Sequence, residues 1–107
     1  MKFVNLTPHE INIVGYGIIP PSGIIARVNT IQRVVDNIVG IDVVETFYGE
    51  ITGIPEPEDD TIYITSSLVA GFAKRDDVLA PDTGGTAVRE NGQIVGVTRL
   101  QSFSGDE

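Results

Sequence analysis

The sequence predicts an α+β domain that is mostly strand: a barrel-like or curled, mostly antiparallel sheet with one short helix. Three observations predict it. Short runs rich in β-branched residues recur along most of the chain. Strong turn signals, Pro20-Pro21-Ser22-Gly23 and Asn91-Gly92 above all, separate them. The hydrophobic period changes from that of a strand to that of a helix only at Ser66–Arg75.

In chain order, Phe3–Leu6 and Ile11–Val14 read as short strands around the loop Thr7-Pro8-His9-Glu10. Gly15-Tyr16-Gly17 turns the chain into another short strand, Gly17–Ile19. Ile24–Val35 is one long strand or two, with Asp36-Asn37 as its expected turn, and Ile41–Ile51 follows. Gly53–Thr61, with two prolines and four acids, is a loop. Thr61–Thr65 is an expected central strand. The helix after it takes Ser66 or Ser67 as N-cap and places Lys74 and Arg75 near its negative end. Val78–Ala80 is a short strand. Ala87–Glu90 and Gln93–Val97 form a hairpin, because Asn91-Gly92 supplies the two positive φ values of a type I′ turn. About eight strands result, in one domain spanning residues 1–107, with 104–107 expected to fray.

Bulk properties narrow the function. The chain has 107 residues, 41% hydrophobic and 21% charged, which is globular composition. No run approaches the length of a membrane span, and MKFVNLTPHE turns polar too early for a signal peptide. Without cysteine there are no disulfides and no thiol catalysis, and a cytoplasmic location is expected. The formal charge of −8 disfavours binding to nucleic-acid polymers and anionic membranes.

Asp82-Thr83-Gly84 is the tripeptide of retroviral-type aspartic proteases, and one such subunit is about this long. Two features oppose that reading. Pro81 stands where a hydrophobic strand should lead into the aspartate, and too little chain follows Gly84 to build a flap. The tripeptide reads instead as a turn or binding element. His9 is the single histidine, so a serine triad would need it together with Ser66 or Ser67, and no nucleophile elbow is present. Zinc ligation is poor with one histidine and no cysteine. The acids Glu56, Glu58, Asp59 and Asp60 lack the spacing of a calcium loop. No metal or cofactor is expected.

A binding site is better supplied. Thr65-Ser66-Ser67 sits at a strand-to-helix junction with hydroxyls beside free backbone N–H groups. Arg75 and Arg89 offer guanidiniums for phosphate, Asp82 and Thr83 suit ribose hydroxyls, and Gly84-Gly85 permits close backbone approach. Asn5, Thr7 and His9 of the first loop complete the candidate set.

The segments NLTPHEINIV (5–14), PPSGIIARV (20–28), YGEITGIPEP (48–57), TIYITSSLVA (61–70) and RDDVLAPDTGGTAVRENGQIVGV (75–97) together resemble a family of small bacteriophage and bacterial proteins with an N-terminal NLTPHxI motif. The Asp82-Thr83-Gly84 stretch belongs to that pattern. In size and character, though not in motif, the chain is similar to phage sponges that sequester nucleotide-derived signals of bacterial immunity, such as cyclic ADP-ribose isomers or cyclic oligonucleotides. That similarity implies a homo-oligomer, a dimer or higher, with no catalytic machinery. The expected function is a non-enzymatic small-ligand binder with anti-defence activity. The alternatives are a protein-interaction module that inhibits a host factor through an acidic face, and a small hydrolase using His9.

Overall fold

The computed structural model describes residues 1–104, which form ten strands and one helix. β1 (Lys2–Asn5), β6 (Thr61–Ile64), β7 (Val78–Pro81) and β10 (Leu100–Ser102) make a central sheet in the order β1-β6-β7-β10. β1 and β7 both run parallel to β6, and only β10 is antiparallel to its neighbour. The sheet is open. The strand-rich α+β class with one short helix is as the sequence predicts, in its curled rather than its barrel-like form; most strand pairings are antiparallel, and the central sheet is mixed. The reason lies in the connection. β6 and β7 are joined through α1 (Ser67–Ala73), and a helical crossover returns the chain parallel to where it began.

Alternation along the central strands splits the core into two layers. On one face Tyr63, Leu6, Val78 and Ala80 pack with Val69 and Ala70 of α1 and with Ala26. On the other, Ile64 packs with Ile11, Ile19 and Val97. The hairpin of β2 (Ile11–Ile13) and β3 (Gly17–Ile19) covers this second face together with the segment leading out of β8 (Val88–Glu90) and β9 (Gln93–Gly96). The latter pair turns at Asn91 and Gly92, with φ of 53° and 80°, as its sequence requires.

α1 has both ends satisfied. The Ser66 hydroxyl accepts from the Val69 N–H at 3.2 Å, and Lys74, in the left-handed conformation, donates its N–H to the Ala70 carbonyl. Just beyond, Arg75 forms a two-pronged ion pair with Asp77 at 2.9 and 2.7 Å, donates to the Pro55 carbonyl and stacks over the Tyr63 ring. Tyr63 in turn donates its hydroxyl to the Glu56 carbonyl at 3.0 Å, and burial pushes its ionisation upward. The acidic loop is thereby tied to the core.

β4 (Arg27–Ile38) and β5 (Ile41–Thr52) form a separate two-stranded hairpin, twelve residues a side, that projects as an arm. Only its base joins the core, through Val28, Ile51 and a Tyr48–Phe72 ring contact at 4.9 Å. Its turn is Val39-Gly40, with φ of 44° and 86°, and not Asp36-Asn37. Asn37 serves the turn from outside it: its side chain accepts from the Gly40 N–H and donates to Asp42. β10 is a strand the sequence reading lacks; its pairing to β7 is held by the Gln101 amide on the Pro81 carbonyl. The expected frayed tail lies, from Gly105 onward, outside the described residues; Ser104 donates its N–H to the Ser102 hydroxyl. Among the described residues no helix is long and apolar enough to cross a membrane.

Candidate functional site

Asn5 ends β1 with its side chain almost wholly buried. Its amide donates to the carbonyls of His9 at 2.7 Å and Ile19 at 3.1 Å, while its oxygen accepts from the Thr7 N–H at 2.9 Å and lies 2.7 Å from the Thr7 hydroxyl. One side chain thus shapes the whole loop Leu6–Glu10 and pins it to β3. Beside this loop, at the carboxyl ends of the parallel strands β1 and β6, is a cavity of about 570 Å³. Open sheets with parallel strands place ligands at that end.

The cavity has two kinds of wall. Ile11, Ile94, Val95 and Val97 give an apolar side, with Pro8 and Pro81 at its margins. The polar side has Thr7, His9, Ser66, Ser67 and Thr83, with hydroxyls and an imidazole, and the carboxylate-bearing Glu10. β9 is held in place as a wall because the Asn12 amide donates to the Val95 carbonyl and the Val97 N–H donates to the Asn12 carbonyl. Ser67 accepts from the Gln101 amide, so its own proton is free to donate. Ser66 is occupied in capping α1.

Of the candidate residues, Thr7, His9, Ser66, Ser67 and Thr83 line this one cavity. Arg89 stands next to it: one guanidinium nitrogen donates to the Thr83 carbonyl at 3.1 Å, and the side chain is exposed. Asn5 builds the cavity from behind without lining it. Asp82 is set in the turn, accepting from the Gly84 N–H at 3.0 Å and from Arg99 at 2.7 Å. Arg75 lies beyond the far end of α1, committed to Asp77. The apolar wall of Ile94, Val95 and Ile11 was not legible as a site, because aliphatic side chains announce no chemistry and here read only as strand. A shared position at one end of the sheet was the missing signal.

Asp77 and Asp82 are both held below the usual carboxylate range, Asp77 chiefly by the hydrogen bonds from Arg75, Asp82 chiefly by the Gly84 N–H and then by Arg99. The folded state therefore keeps these groups ionised where the unfolded chain, with carboxylates near pKa 4 (about the model-peptide value), begins to bind protons. Stability is fully present above that pH and falls as pH drops through it toward the lowered folded values. Thermal unfolding followed from about pH 6 to about pH 3 should show this loss, and Asp77→Asn should flatten the profile while lowering stability at neutral pH by about 1–2 kcal/mol. Asp82→Asn should do less, because its partner Arg99 is largely exposed.

Compared with known proteins, the chain matches no family model, and no curated protein or solved structure is similar enough to count as a match.

Proposed function

We propose that this protein is a non-enzymatic binder of a small polar ligand, and that the cavity between the Leu6–Glu10 loop, the start of α1 and β9 is its site. The observation that carries the reading is the pairing of an aliphatic wall with a hydroxyl and imidazole rim in one cavity of about 570 Å³. A planar heterocycle suits the wall of Ile94, Val95 and Ile11, and sugar hydroxyls suit Thr7, Ser67 and Thr83. Arg89 at the mouth suits a phosphate, since the rest of its guanidinium makes no hydrogen bond among the described residues. A nucleotide-derived ligand combines these parts. Together with the resemblance to small phage proteins, this favours sequestration of a nucleotide-type immune signal in the cytoplasm of an infected bacterium. Capture without conversion fits Ser66, whose hydroxyl is turned to the helix backbone rather than to a base.

Native mass spectrometry with a panel of cyclic ADP-ribose isomers and cyclic oligonucleotides tests this directly, because ligand mass reports whether the molecule is held intact. Val95→Trp, which fills the cavity from an exposed strand position, should abolish binding with little change in thermal stability. Arg89→Ala should weaken a phosphate-bearing ligand about tenfold to a hundredfold, the worth of one charge-assisted contact. Failure of every nucleotide to bind would remove this reading and give first place to inhibition of a host protein. A shifted ligand mass would give it to a hydrolase.

A further inference from the structure

The arm carries a second inference, independent of the cavity. β5 alternates regularly through the arm, so Ile41, Val43, Glu45 and Phe47 share one face and Asp42, Val44, Thr46 and Tyr48 the other. Their register partners follow them: Ile38, Asp36, Arg33 and Ile31 join the first face, and Asn37, Val34, Gln32 and Thr30 the second. At the base of the arm the second face turns toward the body, where Tyr48 meets Phe72 of α1; farther out its Val34 and Val44 are exposed. The first face is apolar apart from Arg33, Asp36 and Glu45, and it is open: Ile31 is 67% exposed, Ile41 66% and Ile38 56%. At the tip Val39 is 92% exposed.

A two-stranded ribbon on its own is marginally stable in water. This one runs twelve residues a side, roughly 40 Å at about 3.3 Å per residue, with little of the core beneath it. Five exposed large apolar side chains, Ile31, Ile38, Ile41, Val43 and Phe47, on one face of such a ribbon are the signature of a surface that is covered in solution. Its charges indicate what covers it. Arg33 stacks over Phe47, 5.2 Å from the ring centroid, and is paired across the ladder with Glu45, with Asp36 the next charge toward the tip. The face is self-complementary. A two-fold axis along the arm lays Arg33 over the partner's Glu45 and Ile31 over the partner's Phe47. An axis across the arm, between the two charged rungs, lays Arg33 over the partner's Asp36 and Ile31 over the partner's Ile38. In both arrangements Arg33 meets an acid and Ile31 an apolar group, as an isologous contact requires, while the remaining acid, Asp36 in the first and Glu45 in the second, lies against the partner's Val43. The face alone offers on the order of 500 Å² per chain and the flanks add to it, which is comparable with the ~800 Å² per partner of a standard interface.

We infer that the first face of the β4–β5 arm is a homodimer interface, with a second copy of this chain as its occupant. Sedimentation velocity of the full chain at tens of micromolar should show a dimer. The double variant Ile31→Asp/Ile41→Asp should weaken dimerisation at least a hundredfold, because two large apolar groups lose their burial. Gln32→Lys, on the opposite face, should leave the dimer intact. Circular dichroism and near-ultraviolet aromatic signals recorded on the same samples identify a variant that has lost its fold. A monomeric wild type overturns the inference whatever the variants do, and leaves the face to a foreign protein. A dimer that survives the double variant, or that Gln32→Lys disrupts equally, also overturns it.

Discussion

Asn5→Ala should destabilise the protein by about 3 kcal/mol, lowering the melting temperature by roughly 10–20 °C for a domain of this size. The substitution removes the group that satisfies the Ile19 carbonyl, the Thr7 N–H and the His9 carbonyl together. The Ile19 bond is buried, so its carbonyl would be stranded without solvent to replace the amide. The loop Leu6–Glu10 would lose its anchor as well, and with it the positions of Thr7 and His9 at the cavity. Ligand affinity should therefore fall more than Thr7→Val alone would cause. Asn5→Asp separates donor from acceptor functions, since a carboxylate still accepts from Thr7 but faces two carbonyl oxygens. That acid's folded pKa would be raised, so folding takes up a proton, and the variant should regain stability relative to wild type as pH falls. Chemical denaturation of the three proteins at neutral and acid pH decides it. An Asn5→Ala protein within about 1 kcal/mol of wild type would mean that the loop holds itself, and that Asn5 is not its organiser.

Much of this molecule was legible because its signals are local. Asn91-Gly92 names its own turn, and Ser66 placed ahead of an apolar run names a helix start. Both are read within a few residues, and the structure has both. Thr7, His9, Ser66, Ser67 and Thr83 were legible as polar groups in loops or at a helix start, which is where binding groups collect. What was not legible is the partnering of distant segments. β1 pairs with β6 in parallel, Lys2 against Thr61, and nothing in the period of either strand names a partner so far away. That pairing decides between the two expected forms, a curled open sheet rather than a closed barrel, and it gathers the cavity residues at one end. The arm misled for a different reason. Val, Ile and Phe at alternating positions read as strand, but nothing in them says that the pair stands apart from the central sheet, since sequence reports hydrophobicity and not which surface meets it. Its turn escaped because Val39 takes a positive φ that β-branched residues disfavour, while Asp36-Asn37 nearby looks like a better turn.

Gly53→Ala should cost about 3 kcal/mol or more, and the damage should appear at the base of the arm. Gly53 follows β5 directly and adopts a φ of 91°, where an L-residue with a Cβ is strained by about 1–2 kcal/mol. Space is the larger obstacle. A Cβ there would run into the Ile25 carbonyl oxygen and lie 3.0 Å from the Ala26 Cα. Both obstacles are backbone, so no rotamer change relieves them. Ala26 is buried and donates its N–H to the Leu6 carbonyl at 2.9 Å, so displacing it opens the contact between the base of the arm and the loop that follows β1. Gly49→Ala is the matched control. Gly49 lies within β5 without a positive φ, and its added Cβ would sit 3.6 Å from the Asn29 carbonyl, an ordinary contact. Its expected effect is under about 1 kcal/mol in either direction. Melting curves should be recorded at equal protein concentration, because a dimer's apparent stability depends on it. If Gly53→Ala proves as mild as Gly49→Ala, the chain crossing at Ile25–Ala26 yields easily and does not fix the arm. If it is severe, the arm's direction is set by this one close approach, and a variant that folds with the crossing widened should dimerise more weakly although every residue of the apolar face is unchanged.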